Sequence, residues 1–164
     1  LPEAWYGKPV AKTPVEIDAA FTAFVAATGA QIGHGGDRAF YSTAQDRIQM
    51  PHAEAFTGAN QYQATLLHEL GHWTGHESRL NRVFGKRFGD QAYAAEELVA
   101  ELTAAFLCAH LGITGELRHG GYIESWIKML KDDPKAIFTA SAAASRAADL
   151  LRGFSEPQEE AVAA

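Results

Sequence analysis

A chain of 164 residues with 47% apolar and 21% charged positions suits one globular domain, and a domain of that length buries about two-thirds of its unfolded surface. Its net charge of −6 argues against avid, nonspecific DNA binding. Its one cysteine excludes an internal disulfide and fits a reducing, cytoplasmic compartment, and the absence of an apolar run of ~18 residues argues against a transmembrane helix.

In chain order, Thr13-Pro14-Val15-Glu16 reads as a capping box with proline at the first helical position. It opens a helix that Gly29 ends, with Ile17, Phe21, Phe24 and Val25 on one apolar face. Strands are expected at 30–34, 39–42 and 47–50, separated by Gly35-Gly36-Asp37 and by the turn 43–46, with Pro51 closing the last. A helix follows around Ala64-Thr65-Leu66-Leu67, with Leu66, Leu67, Leu70 and Trp73 as its buried stripe and Gly75 as its stop. After a basic loop, a long helix runs over 91–111, capped by Asp90, with Ala94, Leu98, Leu102, Ala105, Phe106 and Ala109 as its core stripe. Cys108 reads as a small core residue of this helix. Two more helices are expected near 121–131 and 134–151, Asp133-Pro134 starting the second and Gly153 closing it. Residues 1–154 then make one domain, and 155–164 a polar, frayed tail. The fold class is α+β, a small antiparallel sheet on a mostly helical body.

The chemistry concentrates in His68-Glu69-Leu70-Gly71-His72, an HExxH run inside a helix. Two histidines four residues apart lie about 40° apart around a helix and about 6 Å apart along it, so both imidazoles reach one ion. Glu69 sits beside them, where a carboxylate can take a proton from a water held by that ion. The third histidine of an HExxHxxGxxH pattern would fall at Ser78, which excludes that pattern. His76 would lie about 12 Å along the axis from His68 if the helix continued, too far to share its ion.

A third ligand is instead expected from Glu96-Glu97-Leu98-Val99-Ala100-Glu101 on the next helix. On a helical wheel Glu101 lies at the edge of the apolar stripe, Glu97 just outside it, and Glu96 closest to the opposite, solvated face. Glu97 is the candidate ligand and Glu101 the acid that supports a ligand histidine, although the wheel permits the two to exchange roles. Tyr93 and His76, with Tyr122 and His119 equally suitable by chemistry, are candidates to stabilise an oxyanion. His34, His52 and His110 are weaker. Arg79, Arg82, Lys86 and Arg87 form a local basic patch that could contact substrate or phosphate. The plainer reading is a solvated loop whose arginines pair with nearby acids.

The segments HELGHWTGHESRLNR (68–82), FGDQAYAAEELVAEL (88–102), YIESWIKMLKDDPKAIFTASAAASRAADLL (122–151) and GGDRAFYSTAQDRIQMP (35–51) resemble the zincin-like metallopeptidase domain of ArdC-type antirestriction proteins of plasmids, conjugative elements and phages. The resemblance spans nearly the whole chain in order. It implies one zinc ion on His68, His72 and a glutamate of the later helix, with Glu69 as catalytic base. Glu97 with an acid four residues on also resembles the ligand and supporting acid of thermolysin-like gluzincins, which favours Glu97. Full-length relatives carry an N-terminal single-stranded-DNA-binding domain with no counterpart here. The chain thus reads as a C-terminal piece, and DNA binding is expected of the parent rather than of these residues.

Two functions from different classes follow. One is a zinc metallopeptidase acting on a protein or peptide of the bacterial cytoplasm, such as a defence factor or, as in SprT-like zincins, a DNA-crosslinked protein. The other is a non-catalytic, zinc-stabilised domain that inhibits defence proteins by binding. Glu69 favours the first, because a purely structural site has no need of a carboxylate beside an open coordination position. If an edge strand pairs with substrate, the segment 46–49 is the expected one.

Overall fold

Asp18, rather than Thr13, caps the first helix. The computed structural model describes residues 15–84, 91–114 and 123–156, so Thr13 and Pro14 lie outside the described residues, while Val15–Asp18 are not helical. The Asp18 carboxylate accepts from the main-chain N–H of Ala20 and Phe21, and the helix α1 runs Ala19–Thr28. Aspartate satisfies the free amides of a first turn as well as threonine does, so the chain carries competing start signals. Gly29 ends α1 with a φ of 68°, a left-handed conformation open to glycine. Phe21 and Phe24 are buried, with Ile17 and Val25 packed beside them.

The strands are β1 (Gln31–His34), β2 (Phe40–Ser42) and β3 (Arg47–Met50), in the spatial order β1-β3-β2. β2 pairs antiparallel with β3 across the turn 43–46, and β1 pairs parallel with β3. The sheet is therefore mixed, not antiparallel, and β3 is its centre, not its edge. Ile48 and Met50, on one face of β3, are fully buried in the core, while Arg47 on the other face is exposed. Asp46 closes the turn at φ 46°, which aspartate tolerates better than most residues. β2 is left as the edge beside the helices.

Helix α2 (Ala59–Trp73) starts where the Gln61 side chain reaches back to the N–H and hydroxyl of Thr57, 2.8 Å from each. It buries Leu66, Leu67, Leu70 and Trp73 against the sheet, α1 and the later helices. Helix α3 (Gln91–Leu111) lies between α2 and α5 (Ala136–Ser155), with α4 (Ile123–Asp132) against its first half. Its buried residues are Ala94, Glu96–Ala100, Thr103, Ala104, Leu107 and Cys108. Phe106 and Ala109, expected in the core stripe, are exposed. The stripe is rotated because the closest neighbour, α2, selects small residues such as Ala100 and Ala104 rather than the largest apolar ones.

Pro134 falls in a turn before α5, with Asp133 accepting from the Lys135 amide at 3.0 Å, and Gly153 does not end the helix, which continues to Ser155. Phe154 beyond it packs edge-on to Trp73 at 6.1 Å, a contact that holds the last turn in place. Among the described residues, no helix is long and apolar enough to cross a membrane.

Candidate metal centre

The site forms where α2 crosses α3. A Cβ on Gly71 would stand 3.0 Å from Ala100 Cα and 3.2 Å from its carbonyl oxygen, so glycine lets the helices come this close without displacement. Glu97, one turn before Ala100, is thereby brought to the two histidines. His68 Nε2 and His72 Nε2 are 3.1 Å apart, and each is 3.4 Å from a carboxylate oxygen of Glu97.

Three ligand atoms on a tetrahedral ion with bonds of ~2.05 Å stand about 3.3 Å from one another. The observed separations of 3.1, 3.4 and 3.4 Å are close to that spacing, the two longer ones ending on different oxygens of Glu97, Oε2 for His68 and Oε1 for His72. Glu97 Oε2 is also buried without a hydrogen-bond partner, since His68 Nε2 at 3.4 Å does not meet it in bonding geometry. A buried acceptor left so is costly unless something positive completes it. His68, His72 and Glu97 can therefore hold a metal ion.

The surrounding charge favours a cation. Glu69, Glu96, Glu97 and Glu101 all approach the two imidazoles, and Arg82 answers Glu96. Burial alone would favour a neutral His68 ring; the Glu101 and Glu97 carboxylates outweigh it and push the group up to about 10. His72 is raised in the same way, burial being outweighed by Glu96 and Glu97. Burial would raise Glu97, but the two histidines hold it well below the ordinary carboxylate range. Glu69 goes the other way. Burial pushes its carboxyl up against the opposing pull of His68 and His72.

The supports of the histidines differ. His68 Nδ1 lies 3.5 Å from Glu101 Oε1. His72 Nδ1 lies 3.2 Å from Glu96 Oε1, and that carboxylate also receives Arg82 Nε at 2.9 Å and Nη2 at 2.7 Å. Glu96 is thus only 5% exposed. This corrects the wheel, which turned Glu96 to solvent: the loop after α2 folds over that face of α3 and carries Arg82 onto it. The hint available in the sequence was the pairing of a double acid, Glu96-Glu97, with an arginine ten residues after the second histidine.

The described arginines of that loop, Arg79 and Arg82, are engaged within the chain. Arg79 pairs with Asp46, donates to the Trp73 carbonyl at 2.7 Å and stacks 3.7 Å above the Trp73 ring. Lys86 and Arg87 lie outside the described residues, as do Asp90, His119 and Tyr122. Tyr93 lines the same cleft as the histidines. His76 instead bonds Ser78 at 2.8 Å and lines a neighbouring hollow with Thr43, Asn81 and Phe84. His34 bonds Tyr62 at 2.8 Å and stacks with His52, away from this site.

The cleft over the triad holds about 320 Å³ and opens between α2, α3 and the edge strand. Arg38, Phe40, Tyr41, Thr43 and Phe84, none singled out in the sequence, share its wall with Glu69 and Tyr93. The sheet edge that lines this cleft is β2, through Phe40 and Tyr41, rather than 46–49.

Residues 19–143 match the family described as zincin-like metallopeptidase. The chain is 47% identical over 136 residues to the DNA primase TraC of Escherichia coli, covering 82% of this chain and 13% of that protein. It is 45% identical over 130 residues to the protein y4eC of Sinorhizobium fredii, covering 78% of this chain and 42% of that one. Among solved structures, the antirestriction ArdC protein from the R388 plasmid in its Mn(II)-bound form superposes with a TM-score of 0.79 at 41% identity, over 90% of this chain and 56% of that one. Its metal-free form gives 0.76 at 42% identity, over 94% and 56%. The chain thus spans about half or less of each of these relatives.

Proposed function

The chain belongs to the zincin-like metallopeptidase family, and on that premise we propose that it hydrolyses peptide bonds with a divalent ion, zinc by preference, held by His68, His72 and Glu97. Two imidazoles and a carboxylate are a common catalytic zinc set, and the Mn(II)-bound relative supports a divalent ion in general. When bound, such an ion polarises a carbonyl and lowers the pKa of a coordinated water towards ~7.

The observation that carries the reading is the placement of Glu69. Its carboxylate adjoins the triad yet lines the open cleft, and burial raises it. Held there, Glu69 takes a proton from the attacking water and returns it to the leaving amine. Tyr93, on the ligand helix, lines the same cleft and is the residue assigned to steady the developing oxyanion. β2 offers its main chain to an extended peptide, with Phe40 and Tyr41 along it. The substrate is a protein of the bacterial cytoplasm, met by a larger mobile-element protein of which this domain is the cutting part; DNA binding belongs to the rest of that protein.

The experiment is cleavage of unfolded protein by the zinc-loaded chain, with and without single-stranded DNA, fragments being read by mass spectrometry. Glu69→Gln keeps every ligand but not the base, so it should retain zinc and lose ~10²-fold or more in rate. Equal fragmentation by both proteins would remove Glu69 from the role. Zinc bound by both with no fragments from either would favour the binding module.

A further inference from the structure

The geometry points to Arg82 as the residue that positions His72 for the metal, acting through Glu96; the assignment rests on the metal reading above. Arg82 belongs to a surface loop, yet its guanidinium is turned inward and makes four hydrogen bonds there. Nε and Nη2 hold both oxygens of Glu96 at 2.9 and 2.7 Å. Nη1 donates to Thr74 Oγ1 and Nη2 to the Gly71 carbonyl, each at 2.7 Å. Gly71 and Thr74 flank His72, so one planar group grips the end of α2 on both sides of the ligand. It also grips the carboxylate behind that ligand's ring.

The consequence lies in Glu96 Oε1, which is shared by Arg82 Nη2 and by His72 Nδ1 at 3.2 Å. With Nδ1 committed there as donor, the lone pair is left on Nε2, the atom that faces His68 Nε2 and Glu97. A lone carboxylate could rotate about its last bonds and carry the ring with it; the fork of an arginine fixes its plane. The main-chain N–H of Arg82, 2.9 Å from the Gly75 carbonyl, anchors the loop from which the side chain reaches. Lysine has the charge but not the fork.

A purely structural arginine would make the same contacts, so the test needs a control, and the loop supplies one. Arg79 is also part-buried, ion-paired and bonded to main chain, but its hydrogen bonds go to Asp46, Trp73, Ser78 and the Tyr41 hydroxyl rather than to His72 or Glu96. Zinc affinity is to be measured by chelator competition for the wild type and for Arg82→Ala, Arg82→Lys and Arg79→Ala. It is read beside the melting temperature and the ¹⁵N shifts of the His72 ring in the metal-free protein. Arg82→Ala should bind zinc about ten- to a hundredfold more weakly and shift the His72 ring signals. Arg82→Lys should fall between, and it carries the test if the alanine variant does not fold. Arg79→Ala should lower the melting temperature yet stay within about threefold of wild-type affinity. Unchanged affinity and ring shifts in Arg82→Lys and Arg82→Ala overturn the assignment and leave the metal site standing, as does an equal loss in Arg79→Ala. A wild type that binds no zinc overturns the metal reading and this one with it.

Discussion

Gly71→Ala tests whether the crossing of α2 and α3 builds the site. The added Cβ would lie 3.0 Å from Ala100 Cα, 3.2 Å from its oxygen and 3.4 Å from its Cβ. Carbon atoms rest at ~3.5–4.0 Å, so the helices must part by about 0.5 Å. Glu97 is one turn from Ala100 and moves with it, which would open the two 3.4 Å separations between the histidines and the Glu97 carboxylate to about 3.9 Å, well beyond the ~3.3 Å a tetrahedral zinc ion spans. Overpacking costs ~1–3 kcal/mol, and replacing a mid-helix glycine returns ~1 kcal/mol, leaving a net loss of roughly 0–2 kcal/mol. That corresponds to a fall of about 0–8 °C in melting temperature for a chain of this size. Zinc affinity should fall more than stability, by about tenfold or more. Calorimetric melting of the metal-free protein and a zinc titration read the two effects separately. A variant that melts higher than wild type and binds zinc unchanged would refute the close approach as the cause of the geometry.

Glu96→Ala strands the Arg82 guanidinium and should cost ~3–5 kcal/mol, roughly 6–20 °C in melting temperature; a loss below ~1 kcal/mol would return Glu96 to the solvated face. Removing the metal with a chelator should lower the melting temperature, since an ion at a hundred times its Kd contributes about 2.7 kcal/mol; identical melting curves with and without chelator would contradict the site. Asp46 is held below the ordinary carboxylate range, chiefly by its hydrogen bonds from Arg79. A depressed carboxylate stabilises the fold above its unfolded pKa of ~3.9, and the contribution is lost as pH falls through the lower folded value. The stability gap between wild type and Asp46→Asn should therefore be constant above about pH 5 and close below about pH 4. A gap that widens in acid would reverse the sign of the argument.

Where local chemistry decides structure, the sequence was readable. Gly29 had to end α1 because its conformation is left-handed, and the apolar spacing of Leu66, Leu67, Leu70 and Trp73 announced the buried face of α2. Topology was not readable in the same way. Alternation in Arg47-Ile48-Gln49-Met50 says that two side chains share a face, but not whether a second strand pairs on the far side. Only the parallel partner β1 makes β3 central. The same holds at the start of α1, where Thr13 and Asp18 offer equivalent caps and packing of Phe21 and Phe24 goes with the second.

The site divides along the same line. His68, Glu69 and His72 are fixed relative to one another by helical geometry alone, and so were visible. Glu96 was not, because a wheel ranks faces by apolar content and α3 does not obey that ranking. Its closest face is lined by Ala100, Thr103 and Ala104 and its best-hidden acids are Glu96 and Glu97, while Phe106 stands partly outside. A metal centre inverts the usual rule for burial. Acids that a core would reject become the residues it gathers, and glycine and alanine mark the approach that brings them in. For a chain with an HExxH run, the sharper search is for adjacent acids beside small residues on a later helix, with an arginine between the two helices to lock them.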